Sequence, residues 1–98
     1  MMSGISKQIK PWDPSENIRT SADAAEYLAA IFEETDDPKI IQAAIGDIAR
    51  SRGMTEVAKE IGVSREGLYK SFSPEGNPSW QTVFNVLRTL GLRIKLAL

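Results

Sequence analysis

The sequence predicts a mainly α-helical domain with five helices and a short C-terminal β-strand. Apolar residues after position 20 recur at spacings of three and four, as they do along the buried side of a helix. Residues that favour helix ends stand where these segments begin and end. The last residues, Leu92–Leu98, alternate apolar and basic side chains for most of their length, which is the period-two pattern of a strand.

Length and composition limit the kinds of protein this can be. The chain has 98 residues, and we expect an extended or partly disordered segment over residues 1–19 and one folded domain over residues 20–98. It contains neither cysteine nor histidine, so thiolate and imidazole chemistry are excluded. Carboxylates alone or a Ser/Lys pair could catalyse a reaction in principle, but no spacing in the sequence indicates such a site. We therefore expect no enzyme activity, no catalytic residue, no metal site and no cofactor. Because no long apolar run or apolar leader is present, we expect a cytoplasmic protein that does not bind a membrane.

The first two helices are predicted from their caps and their apolar spacing. The first is expected over residues 22–34, with Thr20 or Ser21 as its N-cap. The second starts at Pro38, which suits the first helical position, after the cap residue Asp37. Its apolar stripe consists of Ile41, Ala44, Ile45, Ile48 and Ala49.

Three shorter helices are each predicted to begin at a hydroxyl side chain. Thr55 caps EVAKEI, Ser64 caps REGLYKSF and Ser79 caps WQTVFNVLRTL. Apolar residues at helical spacing in the last helix predict core positions, namely Trp80, Val83, Phe84 and Leu87. The final strand cannot be stable alone, so it pairs either with the segment Ile5–Ile9 or with the same strand of a second chain.

Residues 54–72 have the pattern of two short helices joined by a tight turn, which is the bihelical unit that reads DNA. Ala58 is small at the point where the second helix is expected to cross the first. Gly62 suits the left-handed conformation that ends a helix sharply. The apolar positions expected to face inward are Val57, Ile61, Val63 and Leu68.

A helix placed in the major groove contacts base edges with its exposed N-terminal face. For the second helix of this unit, those side chains are Arg65, Glu66, Tyr69 and Lys70. Arg65 can donate two hydrogen bonds to guanine, whereas Glu66 either accepts from cytosine or only orients Arg65. Tyr69 either contacts DNA or only packs. Phosphate contacts are expected at Thr55, Ser64, Asn77 and Ser79, which lie at or near helix N-termini. Their simpler roles are capping and, for Asn77, formation of the turn Gly76-Asn77-Pro78.

This stretch resembles the Xre/λ-repressor-like helix-turn-helix family. The residues that carry the resemblance are Ala58, Gly62, Val63 and Leu68, and the following segment GNPSWQTVFNVLRTLGL is similar to the continuation of that fold. The resemblance covers roughly residues 38–92 and implies a five-helix DNA-binding domain of the λ-repressor type. Ser71 stands where an apolar residue is usual, so we expect Phe72 to pack in its place.

Five motifs along the chain resemble the addiction-module antidote family. They are PWD at 11–13, AAEYL at 24–28, RGM at 52–54, SREGLY at 64–69 and PEGNPS at 74–79. The resemblance implies the antitoxin of a type II toxin–antitoxin pair, which neutralises a small RelE/ParE-like toxin and represses its own operon.

Charge is distributed unevenly between the two parts of the chain. Residues 1–37 have three basic and eight acidic side chains, a net charge of −5, whereas residues 38–98 have nine and five, a net charge of +4. Opposite charges suggest different partners for the two parts. We expect the acidic helix to help capture a basic toxin and the second part to bind double-stranded DNA.

One such domain reads only a few base pairs, so we expect a homodimer on a palindromic operator. Two other functions fit the same sequence. One is a phage-type transcriptional repressor without a toxin partner. The other is a protein-interaction module that has lost DNA binding, which the isoelectric point of about 5.4 favours, because DNA-binding domains are usually basic.

Overall fold

A computed structural model describes residues 18–98, which form five α-helices and no strand. We name the helices in chain order as α1 Ser21–Glu34, α2 Pro38–Arg52, α3 Met54–Ile61, α4 Arg65–Ser71 and α5 Trp80–Thr89. The expectation of a mainly helical fold with five helices is confirmed. The predicted extended segment over residues 1–19 lies outside the described residues, apart from its last two positions.

Helix α3 lies at the centre of the fold. It packs against α2, α4 and α5, while α1 packs against α2. Its side chains Val57 and Ala58 are almost fully buried, and every helix contributes to the same apolar core. The largest fully buried side chains of that core are Val57, Ile48, Leu68, Val86 and Leu90. None of the helices in residues 18–98 is long and apolar enough to cross a membrane.

Local capping determines where α1 and α2 begin. Thr20 Oγ1 accepts a hydrogen bond of 3.1 Å from the backbone N–H of Asp23, and the Asp23 carboxylate accepts from the backbone N–H groups of Arg19 and Thr20. These bonds, the one from Arg19 first, lower the pKa of Asp23. Asp37 accepts from the backbone N–H of Lys39 at 2.9 Å. The predicted caps of both helices are therefore confirmed.

The predicted cap of α3 is wrong. Thr55 does not cap this helix, because α3 already begins at Met54 and Thr55 is its exposed second residue. Gly53 is both the C-cap of α2 and the N-cap of α3, and it has a positive φ of 117°. This single residue joins the two helices, and it has no side chain with which to cap α3.

The predicted buried side of α5 is wrong at two of its four positions. Trp80 is 66% exposed and Phe84 is 38% exposed, so neither belongs to the core. Val83 is partly buried and Leu87 is buried, as predicted, and Val86 and Leu90 complete the buried side. The predicted and the observed sets both have helical spacing, but the observed set continues to Leu90, whose carbonyl oxygen accepts hydrogen bonds from Ser21 of α1 and Arg52 of α2. Val63 was also expected to face inward, and it is 41% exposed in the turn after α3.

The predicted C-terminal strand is also wrong for residues 18–98. Leu92–Leu98 has no regular secondary structure, since this part of the chain offers no second strand with which it can pair. Ser21 Oγ donates a hydrogen bond of 2.8 Å to the carbonyl oxygen of Leu90, which joins the start of α1 to the end of α5. The alternative pairing with Ile5–Ile9 concerns residues outside the described part.

Candidate nucleic-acid interface

A tight turn joins α3 to α4. Gly62 has the left-handed values φ 80° and ψ 33° predicted for it. The backbone N–H groups of Gly62 and Val63 donate to the carbonyl oxygen of Ala58 at 2.9 and 3.0 Å, which caps the end of α3. Only residues 62–64 separate the two helices. Helices α3 and α4 are therefore joined within three residues and pack against each other.

Two apolar side chains attach α4 to the core. Leu68 is 1% exposed and Phe72 is 8% exposed, so Phe72 takes the packing role expected of it beside Ser71. Ser71 Oγ donates to the carbonyl oxygen of Gly67 at 2.9 Å, which satisfies the hydroxyl within the helix. At the other end, Ser64 Oγ accepts from the backbone N–H of Gly67 at 2.9 Å, as predicted for a cap. With one side attached, the remaining sides of α4 face outward.

The outward side of α4 has four exposed polar side chains, namely Arg65, Glu66, Tyr69 and Lys70. The Arg65 guanidinium lies over the Tyr69 ring, with its central carbon 5.1 Å from the ring centroid. Tyr69 is 41% exposed and does not belong to the core. This cation–π contact restricts the positions of both side chains before any ligand binds.

The loop between α4 and α5 is attached to α2 by hydrogen bonds that the sequence does not indicate. The side-chain amide of Gln42 donates to the carbonyl oxygens of Ser73 and Gly76 at 3.1 and 3.3 Å. Lys39 Nζ donates to the same Gly76 oxygen at 2.6 Å. Asn77 follows directly and is exposed. Lys39 and Gln42 therefore hold the loop that presents Asn77.

Ser79 caps α5 as predicted. Its Oγ accepts from the backbone N–H of Thr82 at 3.1 Å and donates to Thr82 Oγ1 at 3.0 Å. Of the eight residues predicted for DNA contact, seven lie along α4 and at the ends of the loop that follows it. The exception in sequence is Thr55, which is exposed near the start of α3.

An acidic surface lies at the end of α1, in the part of the chain that has a negative net charge. Residues 18–37 include one basic and six acidic side chains, and the acidic residues near the end of α1 are exposed, namely Glu33, Glu34, Asp36 and Asp37. Phe32, beside them, is 58% exposed. A charged surface with an exposed aromatic side chain is suited to a basic protein partner.

Helices α1 and α2 are also joined by a polar contact. The Tyr27 hydroxyl donates to Asp47 Oδ2 at 3.1 Å, and Asp47 forms a 2.7 Å ion pair with Arg50. Burial of the phenol, together with the negative charge of Asp47, raises the pKa of Tyr27 to about 12. The hydroxyl therefore remains protonated at neutral pH and acts as a hydrogen-bond donor.

Similarity to known proteins indicates the family of this chain. The sequence profile of a family described as "Probable addiction module antidote protein" matches residues 8–98. The chain belongs to this family. An uncharacterized protein of Haemophilus influenzae is 39% identical to this antidote family member over 92 residues, which is 94% of each chain. No solved structure matches the chain.

Membership confirms the resemblance inferred from the five sequence motifs. Four of these motifs, from residue 24 onward, lie in the described part of the chain, while the motif at 11–13 lies outside it. An addiction-module antidote is a regulatory protein that acts with a toxin, so the family implies a toxin partner and a non-enzymatic role.

Proposed function

We propose that this antidote is the cytoplasmic antitoxin of a type II toxin–antitoxin pair. It binds operator DNA through a λ-repressor-like helix-turn-helix formed by α3, the turn and α4, and so represses its own operon. Through a separate surface it neutralises a RelE/ParE-like toxin. Family membership supports the toxin partner, and the arrangement of α4 supports DNA binding.

The observation that carries the DNA-binding part is the division of α4 into two sides. Leu68 is buried against the core, while the side chains with base-reading chemistry are exposed on the other side, namely Arg65, Glu66, Tyr69 and Lys70. Arg65 reads guanine by two hydrogen bonds, and each such pair contributes about 1–3 kcal/mol of discrimination between bases. The contact with Tyr69 reduces the entropy that Arg65 loses on binding.

Phosphate groups beside the groove are bound by the residues around α4. Ser64 and Ser79 lie at helix N-termini, where the partial positive charge favours phosphate, and Asn77 lies in the loop between them. Thr55, in the first turn of α3, contacts the phosphate backbone of the same DNA. The exposed cations Arg65 and Lys70 add the electrostatic attraction that DNA binding requires.

A dimer is required for this function. One recognition helix contacts too few base pairs to select a single operator in a genome. Two copies related by a two-fold axis place their recognition helices about 34 Å apart, which corresponds to one turn of DNA. The operator is therefore palindromic.

The toxin binds the acidic end of α1. This surface has a net negative charge and an exposed aromatic side chain, Phe32, whereas the proposed DNA-binding residues lie on α4 and its loop. Separate surfaces allow the antidote to bind operator and toxin together.

The decisive test compares two arginine variants in operator binding. Arg65→Ala is expected to weaken binding to the DNA upstream of the gene by at least tenfold, since a dimer loses the base contact twice. The control Arg50→Ala removes the same charge from α2, far from the proposed interface in sequence, and is expected to bind within about threefold of the wild type.

A pull-down from native cells, followed by mass spectrometry, tests the toxin. Recovery of a small basic protein encoded beside the antidote supports the proposal. Operator binding without such a protein identifies a repressor that has no toxin partner. Toxin binding without operator binding identifies a protein-interaction module.

A further inference from the structure

One outward side of α5 has a continuous row of exposed side chains. Trp80, Phe84 and Arg88 follow one another at intervals of four residues, and we call them the α5 ridge. The rings of Trp80 and Phe84 lie 5.9 Å apart at an angle of 42°, and the Arg88 guanidinium carbon lies 5.6 Å from the Phe84 ring centroid. Trp80 is nevertheless 66% exposed. Large exposed aromatic side chains in contact with one another are a frequent mark of a protein interface.

A second uncovered apolar feature follows the same helix. Residues 93–98, which we call the C-terminal tail, leave the fold after Leu92, whose backbone N–H donates to the carbonyl oxygen of Leu87 at 2.9 Å. Ile94 is 52% exposed and Leu96 is 93% exposed. The tail and the α5 ridge both belong to the last quarter of the chain, and the large apolar side chains of both are exposed.

We propose that the α5 ridge of one copy binds the C-terminal tail of a second copy, and that the exchange is reciprocal. This two-fold contact is the dimer face of the antidote, so the inference rests on the dimer in the proposed function. Residues of one patch then contact residues of the other in both directions, as an isologous interface requires.

The dimensions of the two features agree. Trp80 and Arg88 are eight residue steps apart along the helix, or about 12 Å at 1.5 Å per residue. The six residues of an extended tail reach about 20 Å at 3.3 Å per residue. A tail can therefore cross the gap to a neighbouring chain and still cover the ridge over its whole length.

The area involved is sufficient for a dimer. A whole aromatic side chain buries about 150–250 Å². Each copy contributes two rings and three aliphatic side chains, namely Trp80, Phe84, Ile94, Leu96 and Leu98. Their combined exposed surface in two copies is on the order of 1,000 Å², near the lower limit for a specific interface. Covering Leu96 and Trp80 together removes apolar surface from water at each of the two contacts.

The chemistry of the tail also suits the ridge. Its apolar residues alternate with Arg93 and Lys95, so an extended tail has one apolar and one basic face. The apolar face packs on the rings, while Arg93 and Lys95 on the opposite face remain in water.

The test is the oligomeric state of the full chain, measured by sedimentation velocity over a range of concentrations. The double substitution Trp80→Ser with Phe84→Ser is expected to weaken the dimer at least about 30-fold, as the loss of a central aromatic contact does. Phe32→Ser is the matched control, because it removes an exposed ring from α1 and is expected to leave the dimer unchanged. Thermal melting by circular dichroism verifies that each variant is folded, and Trp80→Gln alone replaces the double variant if that one melts early.

A second measurement identifies the occupant of the ridge. In a Trp12→Phe background Trp80 is the only tryptophan, so its emission is expected to shift to longer wavelength on dilution and on deletion of residues 93–98. A shift on deletion without any dimer would mean that a chain covers its own ridge, which overturns the proposal. A ridge variant that remains dimeric, or one that loses only toxin binding, also overturns it, while the DNA and toxin functions still stand. A wild type that is monomeric with and without operator overturns both this inference and the proposed dimer.

Discussion

Lys39 Nζ donates a hydrogen bond of 2.6 Å to the carbonyl oxygen of Gly76, and this bond joins the first turn of α2 to the loop after α4. Gln42 donates to the same oxygen and to that of Ser73, so the loop is held at several points. The position of Asn77 beside α4 therefore depends on α2 as well as on its own loop.

Gly76→Ala is expected to destabilise the domain by at least about 2 kcal/mol, as forced overpacking does. A Cβ atom at this position would collide with the carbonyl oxygens of Lys70 and Ser71, which are backbone atoms at the end of α4 and cannot rotate away. Chemical unfolding measures the effect. Gly67→Ala is the control, because its Cβ would meet only the Ser64 hydroxyl. Equal stability of the two variants would show that the loop does not approach α4 this closely.

Two glycines with the same φ of 80° separate backbone strain from steric contact. Gly62→Ala is expected to cost about 1–2 kcal/mol, the penalty of the left-handed conformation, since its Cβ would have nothing within 4 Å. Gly91→Ala is expected to cost about 1 kcal/mol more, because its Cβ would lie 2.5 Å from Ser21 Oγ and disturb the hydrogen bond to Leu90.

Thermal and chemical denaturation of both glycine variants measure this difference. Combining Gly91→Ala with Ser21→Ala provides the control, because without the hydroxyl the additional cost is expected to disappear. Additive effects of the two substitutions would contradict the steric explanation.

The uneven success of prediction from sequence has physical causes that particular residues illustrate. Asp37, Ser64 and Gly62 act through bonds to residues within a few positions, so their roles could be predicted from the local sequence. The buried side of α5 could be predicted only at Val83 and Leu87, because apolar residues satisfy two helical phases and the burial of Val86 and Leu90 selects one. Gln42 gave no signal, since its partners are backbone carbonyls about thirty residues away.

The same distinction applies to the candidate interface. The exposed set on α4 could be predicted, because the buried position Leu68 determines which side of a short helix faces outward. Thr55 was placed at a helix cap because a hydroxyl followed by a helical pattern is the usual signal. Gly53 takes that position instead by ending one helix and starting the next, which local preferences do not reveal.

The stability of the domain is expected to fall as the pH rises from about 10 to 12. The pKa of Tyr27 is raised from 10.0 to about 12 in the folded protein, first by burial and then by Asp47. Below pH 10, the pKa of tyrosine in the unfolded chain, the raised pKa contributes its full stabilising free energy to the fold. This contribution is lost as the pH rises through 12. Urea unfolding at pH 9, 10 and 11 measures the change.

Tyr27→Phe and Tyr69→Phe form a matched pair for this measurement, because the chain has two tyrosines. Tyr27→Phe is expected to remove the decline above pH 10 and to cost about 1 kcal/mol at neutral pH, where it loses the bond to Asp47. Tyr69→Phe is expected to retain the decline. A decline that survives in Tyr27→Phe would assign it to another group.

Reversal of Glu33 and Glu34 to lysine is expected to weaken toxin binding at least tenfold and to leave operator affinity unchanged. Both carboxylates are exposed at the acidic end of α1, where they attract a basic partner and where neither supports the fold. Reversal of Glu56 and Glu60 on α3 is the control, because it changes the net charge equally but beside the proposed DNA-binding helix. That variant is expected to bind toxin normally and operator more tightly, since added cations near the phosphates favour binding. Isothermal titration at two salt concentrations measures the toxin affinity, which is expected to fall with salt in the wild type and less so in the α1 variant. Equal loss of toxin binding in both variants would mean that the toxin responds to total charge, and the acidic end of α1 would then not be its binding surface.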